Sequence, residues 1–161
     1  MAKAQKNTAQ AAKAQRKKKQ KAERERSAGF VIFREGKAGP QYLVLHYEEG
    51  HRDFPKGHVE TGETGLQAAK RELFEETGIK PSEIEILPGF SHAFSYTYTR
   101  DGKKFSKAVK FFLAKTKIRK ISVSCEHTGA KWLPFAGAKR RLTFENAKKL
   151  LSLAHEFRKN K

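Results

Sequence analysis

Two rhythms of hydrophobic and polar positions run along the chain. "GFVIFRE" (Gly29–Glu35) and "QYLVLHYE" (Gln41–Glu48) are rich in β-branched and aromatic residues, and the turn-forming "GKAGP" separates them. Together they predict a hairpin. "EIEILPGF", "HAFSYTYTR" and "AVKFFLAKT" (Ala108–Thr116) predict further strands, with Asp101–Gly102 marking a tight turn ahead of the last one. "AKWLPF" (Ala130–Phe135) predicts a short strand that ends at Pro134. Helical spacing takes over twice. From about Gly65 to Thr77 the apolar stripe is Leu66, Ala69 and Leu73. Thr64 with Gln67 matches a capping box, and Gly78 stands where a C-terminal cap glycine belongs. From about Phe144 to Arg158 the stripe is Ala147, Leu150, Leu151, Ala154 and Phe157, with Thr143 as the expected cap. The order of strands, helix, strands, helix predicts an α/β fold with a sheet packed between helices.

The length of 161 residues suits one domain. Residues 1–27 stand apart as a low-complexity segment of Ala, Gln, Lys and Arg without Leu, Ile, Val or an aromatic. Such a segment cannot bury apolar surface, so it reads as a basic tail, flexible or helical, ahead of a domain spanning 28–161. The chain carries 35 Lys+Arg against 17 Asp+Glu, a formal net charge of +18. That balance implies an anionic partner, or a solubilising tail. "RKKKQK" (Arg16–Lys21) suits phosphate backbones, so contact with RNA or the ribosome through residues 1–27 is an expectation. The lone Cys125 excludes a disulfide framework and a cysteine metal site, and is expected to be a small buried hydrophobe. No run approaches the roughly 18 apolar residues of a membrane helix, and no apolar h-region opens the chain. A cytoplasmic, reducing setting without membrane contact is expected.

Against this basic background, "GHVETGETGLQAAKRELFEETGI" (Gly57–Ile79) holds five glutamates in 23 residues. Glu72, Glu75 and Glu76 fall at i, i+3 and i+4, on one helical face, and like charges at that spacing destabilise a helix. Two of them sit near the helix C-terminus, where the macrodipole disfavours negative charge. A solvated glutamate face is the plain explanation. A site for a hard divalent cation gains more from the arrangement, because magnesium takes carboxylate oxygens and keeps waters for chemistry. Arg71 can pair with Glu75 across one turn.

The spacing goes further. Gly57, five residues, Glu63, seven residues, then "RELFEETGI" (Arg71–Ile79) matches nine fixed positions of one pattern. The stretch resembles the Nudix box. The resemblance implies an α/β/α sandwich with a mixed sheet and a loop–helix–loop metal motif. It also implies metal-dependent hydrolysis of nucleoside diphosphates linked to a further group, with Mg²⁺ or Mn²⁺ as cofactor. Carried over position by position, Glu72 and Glu76 are implied metal ligands, Glu75 a ligand directly or through water, and Glu63 and Arg71 orienting residues. The carbonyl of Lys56 is implied to join the ligand set. Metals that bridge phosphates neutralise charge and lower the pKa of an attacking water.

The flanks "AGFVIFRE", "FPKGHVETGE", "KAVKFFLA" and "CEHTGAKWLPFAGA" resemble the asymmetric diadenosine tetraphosphate hydrolases over about residues 28–158. That group implies a stacking tyrosine at Tyr96, with Tyr98 close by, and Glu126 as a further ligand or general base. Lys56, His58, Lys107 and Lys110 are expected phosphate contacts. The expected activity is asymmetric cleavage of diadenosine tetraphosphate to ATP and AMP by water attack. The basic leader departs from the group and keeps two alternatives open, an RNA 5′ pyrophosphohydrolase and a non-catalytic nucleic-acid or ribosome-binding protein. Intact glutamates argue against the second.

Overall fold

The computed structural model describes residues 22–161. Its sheet has strands β1 (Glu23–Gly36), β2 (Gly39–Tyr47), β3 (Arg52–Asp53), β4 (Lys56–His58), β5 (Ile84–Arg100), β6 (Lys103–Thr116) and β7 (His127–Pro134). The order is β3-β2-β1-β6-β5, with β4 paired to β1 and β7 paired to β2. β1 and β6 run parallel, and the other pairings are antiparallel, so the sheet is mixed. Helix α1 (Gly65–Thr77) covers one face; α2 (Phe135–Arg141) and α3 (Glu145–Lys159) cover the other.

β1 explains this layering. Side chains alternate across a strand. Ala28, Phe30 and Ile32 therefore pack with Ala68, Ala69 and Leu73 of α1, while Val31 and Phe33 pack with Ala147, Leu150 and Leu151 of α3. A strand covered on both faces has no polar alternation, which is why "FVIF" reads as a continuous apolar run. The result is the expected α/β/α sandwich.

Helix α1 begins and ends where local chemistry dictates. Thr64 Oγ1 accepts from the Gln67 amide at 3.2 Å, and Gln67 Oε1 accepts from the Thr64 amide at 2.8 Å. Gly78 closes the helix at φ 75°, a left-handed conformation that favours glycine.

Several expectations change. β1 starts at Glu23, inside the segment read as tail. Glu23–Ser27 pair in parallel with Phe105–Val109, and the Tyr98 hydroxyl donates to Glu25 Oε2 at 2.6 Å. Strand pairing, the Tyr98–Glu25 hydrogen bond and the Val59 amide donating to the Arg26 carbonyl at 2.9 Å hold a segment whose composition is polar. The run Arg16–Lys21 lies outside the described residues. "EIEILPGF" and "HAFSYTYTR" form one strand, with an irregularity between Ile86 and Ser91 that absorbs Pro88. Thr143 does not cap α3: its Oγ1 accepts from the Arg52 amide at 2.8 Å, and Phe144 occupies the cap position. Cys125 is exposed. Among the described residues no helix is long and apolar enough to cross a membrane.

Candidate active site

The glutamates of α1 face different surroundings. Glu76 projects inward and is 4% exposed. Its Oε2 accepts from the Lys56 amide at 2.9 Å, and its Oε1 lies 3.4 Å from His127 Nε2 and 3.5 Å from the Tyr47 hydroxyl. Burial pushes its carboxyl up to about 8; the Lys56 charge and amide pull down, while the Glu72 and Glu126 charges add to the rise. Glu72 is also raised, chiefly by burial. Glu75, one turn from Arg71, is exposed.

Arg71 organises the cluster. Its Nε donates to Glu63 Oε1 at 2.8 Å and its Nη2 to Glu63 Oε2 at 3.1 Å, a bidentate fork. Nη1 holds Glu72 at 2.8 Å and Glu75 at 3.1 Å, and Nη2 also donates to the His58 carbonyl at 2.8 Å. Hydrogen bonding to Glu63, and then to Glu72, holds Arg71 above its ordinary range, and the same contact holds Glu63 below the usual carboxylate value. Arg71 thus ties α1 to the loop before it and fixes where β4 ends.

The donor set fits a hard divalent cation. Glu72 and Glu76 offer oxygen alone, and both carboxylates are raised by burial. Gly57 leaves a cradle: a Cβ there would lie 1.9 Å from the Glu72 carboxyl carbon. Among the described residues no three His, Cys, Asp or Glu side chains stand gathered as a finished cage. Arg71 Nη1 meanwhile holds both Glu72 and Glu75.

β4 leads from the cluster into a cavity of about 660 Å³ on the α3 face of the sheet. Lys56, His58, Tyr96 and Lys107, all expected from sequence, line it. Tyr96 is 39% exposed, and burial followed by the Lys56 charge lowers Lys107. Lys56 Nζ is anchored on Asp53 Oδ2 at 2.9 Å and lies 4.9 Å from the Tyr47 ring. Glu126 sits exposed on the loop before β7, outside the cavity lining, and its charge acts on both Glu72 and Glu76.

Two expected contacts lie elsewhere. Lys110 is on the α1 face, beside Ala108 and Phe112, because an odd separation from Lys107 on one strand reverses the side chain. Tyr98 is outside the cavity lining: it stacks on Phe105 at 5.2 Å and donates to Glu25.

The sequence left other residues unassigned. Phe144, 48% exposed, stands in the cavity wall at the start of α3. His51 joins it, stacked on Tyr47 at 4.4 Å and 5.5 Å from the Phe144 ring. His127 is buried behind Glu76, with Nδ1 2.9 Å from Ser124 Oγ, and burial lowers its pKa. No local signal in the sequence marks Phe144 for the cavity, because the Thr143–Arg52 contact that sets the start of α3 is long-range.

The chain is similar to known proteins over most of its length. The model of the NUDIX domain matches residues 23–153. The chain is 34% identical over 142 residues to a bis(5′-nucleosyl)-tetraphosphatase (asymmetrical) of Rattus norvegicus, covering 82% of this chain and 94% of that one. A C. elegans Ap4A hydrolase, solved as a binary complex, superposes with a TM-score of 0.77 at 30% identity, covering 85% of this chain and 99% of that one. An RNA pyrophosphohydrolase of Francisella philomiragia is 34% identical over 79 residues, 45% of this chain and 51% of its own length. With its box intact and its sandwich matched along nearly the whole described length, the chain belongs to the Nudix family and is a pyrophosphohydrolase enzyme.

Proposed function

We propose that the protein hydrolyses dinucleoside polyphosphates, cleaving diadenosine tetraphosphate asymmetrically to ATP and AMP with Mg²⁺ or Mn²⁺ bound. One observation carries the reading: a single cavity brings two half-exposed rings, Tyr96 and Phe144, together with Lys56 and Lys107. Stacking on an aromatic is worth about 1–3 kcal/mol per base, and lysines supply point charges for a polyphosphate. The relatives named as tetraphosphatases support the same substrate class.

Each residue then has a task. Tyr96 and Phe144 hold the adenine, while Lys56, His58 and Lys107 hold phosphate oxygens. Glu72, Glu76 and the Lys56 carbonyl would hold the metal. A bound divalent cation neutralises phosphate charge and acidifies a water. Glu63 and Arg71 fix the direction of Glu72 and Glu75. Glu75 and Glu126 carry exposed carboxylates able to accept the proton of the attacking water, and kcat of Glu75→Gln against Glu126→Gln assigns that role.

The test is a competition. Full-length protein with Mg²⁺ receives equal amounts of diadenosine tetraphosphate and a 5′-triphosphorylated RNA, and products are resolved by chromatography. ATP plus AMP with intact RNA supports the proposal. Phosphate or pyrophosphate released from RNA, with the dinucleotide untouched, replaces it by RNA 5′-end processing.

A further inference from the structure

A second hollow, of about 170 Å³, lies on the same face of the sheet as the catalytic cavity, at the β3–β2–β7 edge. Arg52, His46, Lys131 and Arg141 line it, and no acidic residue does. The register places them together. His46 pairs with Arg52 on β3 and with Gly129 on β7, and Val44 pairs with Lys131, so Arg52, His46 and Lys131 share one face. Arg141, from the last turn of α2, closes the hollow from above.

Their partners are missing. Eight of the described lysines and arginines pair with a carboxylate, as Arg71 does with Glu63 and Lys56 with Asp53, and most do not; what sets this group apart is that three stand around one concavity with no acidic residue in its lining. Among the described residues no carboxylate pairs with Arg52, Lys131 or Arg141. Residues 1–21 cannot supply one, since they contain no Asp or Glu. Three like charges around one concavity repel, and the concavity focuses their field. His46 Nδ1 is engaged with Thr128 Oγ1 at 2.9 Å, which leaves Nε2 as the ring's remaining hydrogen-bonding atom. Two guanidinium forks and an ammonium suit a tetrahedral oxyanion, because each fork can present two parallel N–H groups to phosphate oxygens. The hollow is large enough for a phosphoryl group.

We propose that this hollow is a second, non-catalytic anion site that takes a phosphoryl group. It stands independently of the substrate assigned to the catalytic cavity. The Leu142–Thr143 connection separates the two: Arg141 lines the hollow, while Phe144 lines the cavity. Arg52 clasps that connection through two backbone hydrogen bonds, its amide to Thr143 Oγ1 at 2.8 Å and its carbonyl from the Thr143 amide at 3.1 Å. A phosphoryl group held by Arg52 and Arg141 therefore sits directly behind the wall that carries Phe144 and His51. The group can come from free phosphate or pyrophosphate, or from the backbone of a nucleic acid lying across the edge.

The experiment is an NMR titration of full-length, isotope-labelled protein at constant ionic strength. Inorganic phosphate, pyrophosphate and a 5′-phosphorylated ten-nucleotide RNA are added separately, with chloride as the control. The reporters are the His46 ring and the Thr128 and Gly129 amides for the hollow, and the Tyr96 ring for the cavity. The expected result is a saturable shift of the hollow's reporters. In the Arg52→Gln/Arg141→Gln variant this binding weakens at least tenfold, while the Tyr96 response stays as in the wild type. RNA acting at tenfold lower concentration than phosphate identifies a nucleic-acid backbone as the source; equal or weaker action identifies the free ion, and either supports the site. Unmoved reporters, equal shifts with chloride, or equal binding by the variant overturn it. Wild-type dispersion of the variant's amide spectrum and an unchanged melting midpoint provide the folding control.

Discussion

Glu76→Gln separates what the buried carboxylate costs the metal-free protein from what it does for the metal. The Glu76 carboxyl is pushed from its ordinary 4.5 up to about 8. A raised acid favours the folded state only while protonated. Between those two pH values the unfolded chain gives up its proton and the folded one keeps it, so metal-free stability falls as pH rises, then levels above about 8. The gap corresponds to about 5 kcal/mol at roughly 1.4 kcal/mol per pH unit, and solvent and side-chain relaxation reduce it to about 2–4 kcal/mol. Glutamine has no such slope. Its Oε1 still accepts from the Lys56 amide, which Glu76 holds at 2.9 Å. In EDTA, thermal unfolding at pH 8.5 should show the variant more stable than the wild type by about 6–12 °C, taking about 3 °C per kcal/mol. At pH 5 the two should coincide. Adding Mg²⁺ or Mn²⁺ should then raise the wild-type midpoint and leave the variant unmoved, with turnover lost. Parallel pH curves for the two metal-free proteins, or a variant less stable at pH 8.5, would refute the burial argument.

Three further outcomes follow from the same geometry. Gly57→Ala drives a Cβ to 1.9 Å from the Glu72 carboxyl carbon, and should lower kcat at least 100-fold while destabilising the fold by about 1–3 kcal/mol in urea titration. Tyr96→Ala and Phe144→Ala each remove a half-exposed ring from the cavity wall, and should raise KM for diadenosine tetraphosphate about tenfold with kcat little changed. Removing residues 1–21 should leave dinucleotide turnover within twofold in a steady-state assay. Removing 1–27 also strips Glu23–Ser27 from β6 and Glu25 from Tyr98, and should lower the melting midpoint measurably.

What the sequence discloses is chiefly what is local. The α1 caps are legible because Thr64, Gln67 and Gly78 act within a few residues of their partners. The apolar stripes of α1 and α3 and the hairpin of β1 and β2 are legible for the same reason. Glu23–Ser27 are charged and polar, and only pairing with a strand about eighty residues later makes them a strand. Phe144 reaches the cavity because the Thr143–Arg52 clasp sets the start of α3, a contact across 91 positions. Lys110 is a different case. Strand alternation already opposes it to Lys107, so its place on the far face follows from parity alone. The pairing of Arg71 with Glu75 is legible as an i, i+4 neighbour, whereas its stronger fork on Glu63 depends on how the preceding loop folds back.

The central claim meets its most direct test in the products of one substrate. Full-length protein with Mg²⁺ and diadenosine tetraphosphate, sampled at early times, should yield ATP and AMP in equal amounts, with no turnover in EDTA. Two equivalents of ADP, or turnover that persists in EDTA, would contradict it.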